Sequence, residues 1–464
     1  MSHSGADATT APVVGDHVFI GDGNTFNHTI TITANSQAAG GLAINTGSTL
    51  DIGIYTGHNF GTFENSSIAG SGVLRISSAT ATAEFPAGDF GNFIRSTGGT
   101  VEYYTTGSQD FTIPLIGSTP TSLPLISYKN LTLTPAAGRF ILLPDQDMRI
   151  YGNMTVQGSS STGVTRLPST ASRTLTINGN LVVTSGNLQF QNGTAQNIVV
   201  DGNITVGASG IVDLAGSGTA ATNLLSVGGS LVNNGIFDLA NTASYVCNTT
   251  FTGSSNASIT GTGATTDFNV LTVSKGTSSS SVLDVNATAF TLSGATLPLI
   301  LTNGTFRLSS NQTITFANGV DFSIPATTRL SANGGTLQLT GGDGIDLLLA
   351  GTLEVLNGTM TIGTTANDNS IEYAATGQPT VIASGGTLNV RSQVRRSFAS
   401  TQGALLYTQS GSSVVSVGIS SATTTTRGVF EILNTGSSFS MTGGTLQIAR
   451  SLGASTIADL YLQP

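Results

Sequence analysis

Tryptophan is absent from this chain, cysteine occurs once and lysine twice in 464 residues. One cysteine excludes a disulfide framework, and Cys247, with no histidine near it in the sequence, reads as a small apolar filler. Charged residues make up 8% of the chain, where about 25% is usual, so surface ion pairs contribute little. Basic tracts are lacking: only Arg391, Arg395 and Arg396 cluster, and the net charge is −9. A phosphate backbone needs many cations on one face, so a nucleic-acid partner is excluded. No apolar run approaches the ~18 residues of a membrane span, which argues against insertion by helices. The opening MSHSGADATT has neither the charged start nor the apolar stretch of a secretory signal. Helical periodicity is missing as well, because glycine interrupts every candidate window.

Glycine (59 residues), serine, threonine and asparagine fill the space. Between Ile177 and Ala240 one phrase is repeated: INGNLVVTSGNLQF, VDGNITVGASGIVDLA, VGGSLVNNGIFDLA. Each copy has a turn at Gly179, Gly202 or Gly229, an alternating segment, a second turn at Gly186, Gly210 or Gly235, and another alternating segment. Segments this short cannot close a core alone, so each must bury its apolar side against the next copy. The expectation is an all-β solenoid of roughly 18 irregular coils with almost no α-helix. Leu181, Val183, Ile204, Val206 and Leu231 should stack inside it.

Along the chain, residues 1–12 read as a flexible lead and 13–113 as a cap with the first coils. Pro114, Pro120, Pro124, Pro135 and Pro144 make 114–147 a candidate joint or coil of different shape, since proline removes a ladder donor. Residues 148–464 read as the main solenoid, with GNMTV, GTFRL, GGTLQL, GTLEV, GTMTI, GGTLNV and GGTLQI as its signatures. Residues 241–290 are the least regular part.

The phrases VEYYTTGSQDFTIPL, YKNLTLT and IYGNMTVQG, then TFTGSSNASITGTGATTDFNVLTVSKG and GSSFSMTGGTLQIAR, resemble the strand-repeat regions of giant surface proteins of the Bacteroidota. Those are exported, adhesin-like proteins, many of them type IX secretion cargo and some used in gliding motility. The resemblance runs from about residue 40 onward. It implies a right-handed parallel β-helix, secreted and displayed at the cell surface as part of a larger polypeptide. It transfers no catalytic residues.

The chemistry-bearing residues are sparse: 18 Asp and 6 Glu, mostly single. Hydrolases and lyases need clustered carboxylates. Asp145 and Asp147 in LLPDQDMR are the closest pair, though alternate residues of a strand are equally at home in solvent. Asp213 and Asp238 occupy equivalent places in successive copies and would stack as neighbours, able to hold a cation or simply to face water. GGDGIDLLL (341–349) matches a calcium-binding nonapeptide, with Asp343 and Asp346 as its ligands. That motif holds each ion between consecutive copies, and here there is one. No metal or other cofactor is therefore expected. His17, His28 and His58 lack metal-ligand spacing, and no GxSxG elbow appears.

Thr-x-Thr phrases recur at 29–33, 132–134, 174–176, 313–315 and 359–361. A flat threonine ladder would suit an ice-binding solenoid, but the phrases keep no constant period. The sequons at Asn153 and Asn203 follow simply from composition. These residues together point to a non-enzymatic stalk or adhesive segment, with surface glycans or other surface and secretion proteins as partners. A polysaccharide-degrading lyase or glycosidase on a β-helix is the competing class, and an ice-binding solenoid the third.

Overall fold

The computed structural model describes residues 12–13, 15–23, 25–61, 68–95, 97–107, 109–114, 127–168, 170–191, 193–216, 220–241, 245–397, 403–418, 428–449 and 459–463. Among them there is no helix, and short strands pair in parallel from one turn of the chain to the next. The protein is a parallel β-solenoid of about 15 turns. The count is lower than 18 because several coils are long, up to 31 residues between Val414 and Thr445, and some repeat phrases share a coil. GTLEV and GTMTI, for example, lie on the single strand Thr352–Ile362. The chain divides into two compact units, 1–223 and 224–464.

In the first unit, Asn130–Thr134 pairs with Thr100–Tyr104 on one side and Met154–Gln157 on the other. Leu181–Phe190 and Ile204–Leu214 continue the stack. Alternation sends one set of side chains inward. Val101, Leu131, Met154, Leu181 and Ile204 form one column, each at most 1% exposed. Tyr103, Leu133, Val156, Val183 and Val206 form a second, each 0% exposed. The expected inward positions, Leu231 of the second unit included, are therefore buried. Each such side chain contributes about 1.5–3 kcal/mol relative to an exposed one. The expected joint at 114–147 falls partly on 115–126, outside the described residues. Residues 127–147 carry strands that pair with coils before and after them.

The turns stack as well. The Asn153 N–H donates to Asn130 Oδ1 at 3.0 Å, Asn180 N–H to Asn153 Oδ1 at 2.8 Å, and Asn203 N–H to Asn180 Oδ1 at 2.8 Å. Beside them Gly179 N–H donates to Gly152 O and Gly202 N–H to Gly179 O. A Cβ on Gly179 would lie 2.4 Å from Gly152 O, so only glycine lets the turns approach this closely. The asparagines that looked like chance sequons are a structural ladder.

In the second unit, residues 245–290 are as regular as the rest. Ala257–Thr260 pairs with Val282–Val285, and Leu271–Ser274 with Leu299–Leu308. Phe237, Phe268, Phe290 and Phe306 form an aromatic column with centroids 5.2, 5.6 and 6.4 Å apart. The period in this stretch varies with its turns, which hid the repeat from a sequence count. Further along, Ile314, Leu337, Met360, Leu388 and Val415 stack in register, each at most 3% exposed.

Candidate functional site

Except for Asp238, the carboxylates singled out from the sequence bond to groups on a neighbouring coil. Asp145 accepts from Arg173 Nε at 2.9 Å and from the Thr170 hydroxyl, and these two contacts hold its carboxyl below the usual range. Asp147 accepts the Thr174 N–H at 2.8 Å. Asp213 belongs to the first unit, beside Gln189, whose Nε2 donates to it at 3.1 Å. Asp238, in the second unit, pairs in register with Asp267. Burial raises its carboxyl and Asp267 adds to that, against the opposing hydrogen bond from Ala240 N–H.

Asp343 and Asp346 are similarly engaged. Asp343 Oδ1 accepts the Asp368 N–H at 2.6 Å. Asp346 is 9% exposed; its Oδ1 accepts Ser370 N–H at 2.7 Å and its Oδ2 meets Arg395 Nη2 at 2.6 Å. Arg395 also reaches Glu372 at 2.9 Å. Burial lifts the Asp346 carboxyl to about 6, helped by Glu372 and Asp321 and opposed by Ser370 and Arg395. Among the described residues no cluster of three or more His, Cys, Asp or Glu could hold a metal ion. His58 is buried, stacks on Phe60 at 5.7 Å and accepts the Gln37 N–H; burial lowers its pKa. Cys247 is buried in the core, which pushes its thiol up.

Two constellations were not legible in the sequence. The first crosses four successive coils of the first unit. Arg75 binds Asp51 Oδ2 and Glu102 Oε2, both at 3.0 Å, and lies over the Tyr104 ring with Cζ 4.2 Å from its centroid. Tyr104 donates to Asp51 Oδ1 at 2.8 Å, and Thr134 to Glu102 Oε1 at 2.9 Å. Burial opposes the Arg75 charge, but Glu102 and Asp51 outweigh it and hold the guanidinium above its ordinary pKa. Burial, then the bond to Asp51, raises the Tyr104 phenol. The register Asp51–Arg75–Glu102 alternates charge along the stack, which in-register pairing turns into attraction. Residues 24 and 27 apart in sequence carry no local signal of this.

The second is an uncharged face on the second unit. Strand register places Thr313, Thr336, Thr359, Thr387, Val414 and Thr445 in one outward column. Thr315, Gln338, Thr361, Asn389, Ser416 and Gln447 form the column beside it. Asn389 Nδ2 donates to Thr361 Oγ1 at 3.4 Å and Ser416 Oγ to Gln447 Oε1 at 3.0 Å. The glycines ahead of the first column hold the rungs close: Gly386 has φ +63°, and a Cβ there would meet Gly358 O at 2.3 Å. Two of the Thr-x-Thr phrases, 313–315 and 359–361, thus share their columns. The others lie elsewhere: Thr132 is opposite Glu102, and Thr176 opposite Arg149.

The fold and these surfaces define a β-solenoid whose polar side chains bond mainly from coil to coil. Neither a known protein family, nor a curated protein, nor a solved structure matches the chain.

Proposed function

We propose that this chain is a non-enzymatic stalk or adhesive segment of a large secreted cell-surface protein. The observation that carries the reading is how its carboxylates are used. Asp51, Glu102, Asp145, Asp147, Asp343 and Asp346 each bind a group on a neighbouring coil. A general acid or nucleophile must be free to meet substrate, whereas these groups serve cohesion. Low charge, aliphatic columns and turn ladders suit a segment that bears load or spans distance. The likeness of its repeats to exported Bacteroidota surface proteins supports a place at the cell surface, type IX export, a role resembling gliding adhesins, and glycans or surface proteins as partners.

The competing reading is a polysaccharide-degrading enzyme, and the Asp51–Arg75–Glu102–Tyr104 cluster is what favours it, since it joins two carboxylates, a cation and a phenol. The deciding experiment incubates the purified protein with polyuronates and neutral glycans and measures new reducing ends and unsaturated products. No product is expected. Product formation that disappears in Glu102→Gln would overturn the non-enzymatic reading.

A further inference from the structure

The two outward columns of the second unit have no assigned task, and they run longer than the uncharged β-branched column Thr132–Thr155–Val182–Thr205 of the first unit. Six rungs follow one another without a gap, at intervals of 23, 23, 28, 27 and 31 residues. Irregular turn lengths are absorbed elsewhere so that these positions stay in register. The first column is β-branched throughout, so every rung carries a methyl, and a hydroxyl on every rung except Val414. The second carries a hydroxyl or amide on every rung; Thr315 and Gln447 are exposed and Gln338 and Asn389 half-buried, while Thr361 and Ser416 are buried and bond to Asn389 and Gln447. None of the twelve residues is charged, in a chain of net charge −9. Arg391, just beyond Asn389 and Val390, borders the face on one side.

Rungs lie about 4.8 Å apart and the columns about 6.8 Å apart, so the face measures about 24 Å along the stack. A ligand complementary to it must be extended, periodic at about one rung, uncharged, and must alternate C–H surface with hydroxyls. An uncharged polysaccharide of β-linked pyranose rings has these properties: each ring in an extended chain spans about one rung, with an apolar ring face and equatorial hydroxyls. A charged polymer would meet no counter-charge across the columns. An ice surface would demand equal heights, and the second column mixes serine and threonine with the longer asparagine and glutamine.

We propose that the face formed by Thr313, Thr336, Thr359, Thr387 and the parallel column from Thr315 to Gln447 binds a neutral, extended β-linked polysaccharide strand running along the solenoid. The inference rests on the adhesive reading above and names its ligand class. The threonine methyls meet the ring faces, and the accessible groups of the second column, on Thr315, Gln338, Asn389 and Gln447, hydrogen-bond the sugar hydroxyls. Each rung contributes weakly, and binding grows with the number of rungs engaged.

The test uses the full 464-residue chain with cellohexaose, mannohexaose and xylohexaose, their trisaccharides, and oligogalacturonate, in calorimetry. Hexasaccharide binding should exceed trisaccharide binding at least tenfold for one or more neutral series and be weaker for oligogalacturonate. Thr336→Lys combined with Thr387→Lys should abolish it, while Ser323→Lys, exposed in the separate column that runs on to Leu348, Glu372 and Arg395, leaves it unchanged. Circular dichroism confirms that the variants are folded. If the double variant is unfolded, Thr315→Val, which removes an exposed hydroxyl from the second column, is measured instead, with a loss of threefold or more expected. Absence of binding to every neutral oligosaccharide overturns the inference and leaves the stalk reading standing. Equal binding by the double variant or stronger binding of oligogalacturonate also overturns it, as does inhibition of ice recrystallisation lost in the double variant without any glycan binding. Cleavage of a bound oligosaccharide would sink the non-enzymatic reading while the ligand assignment stood.

Discussion

Ile204 is the sharpest place to challenge the register. It is 1% exposed, stacks on Leu181, and is followed at once by Thr205, which pairs with Val182 on the outer side of the same strand. Ile204→Ala removes three carbons from a column that cannot collapse, because the backbone hydrogen bonds of the rungs above and below fix its height. The cost is about 2–5 kcal/mol. Ile204→Asp adds a carboxylate that neither water nor a cation can reach, so the loss is several kcal/mol larger. The new carboxyl takes up a proton more readily in the fold than in the unfolded chain, and the penalty should shrink from pH 7 to pH 4. Thr205→Asp changes only a half-exposed position and should cost no more than about 0.5 kcal/mol. Stacked repeats can unravel locally, so urea unfolding should be followed by circular dichroism together with hydrogen exchange on strand Ile204–Leu214. Equal penalties for Ile204→Asp and Thr205→Asp, or a larger one at Thr205, would refute the argument, since a one-residue slip exchanges the two faces.

Asn153→Ala should lose about 1 kcal/mol by stranding the Asn180 N–H, and Asn153→Asp, which keeps the acceptor, should recover most of it in thermal melts. Asp346, raised to about 6 in the fold from an ordinary value of 3.8, contributes stability that is fully present below pH 3.8 and lost as pH rises through 6. Wild type should therefore lose stability relative to Asp346→Asn between pH 4 and pH 7; parallel urea midpoints across that range would contradict this. Chelator should leave the melting temperature unchanged, because the Asp346 oxygens bond to Ser370 and Arg395. A drop reversed by calcium and lost in Asp346→Ala would make the nonapeptide a metal site.

The sequence by itself determined the class of fold. Alternation of apolar and small polar residues between glycine turns admits a solenoid and excludes a helical domain, because a two-residue period and dense glycine act locally on every segment. It also determined which faces point inward, as Leu181, Val183, Ile204, Val206 and Leu231 show. What only the tertiary structure decided is which residues of different coils share a rung. Turn lengths vary, so the step from one coil to the next is not constant, and no count along the chain brings Asp51, Arg75 and Glu102 together or aligns Thr313 with Thr445. The same holds for Asn153 and Asn203, whose ladder exists only because glycine lets successive turns touch. Backbone pairing between coils sets those neighbours, and with them the alternating charges, the turn ladder and the uncharged face.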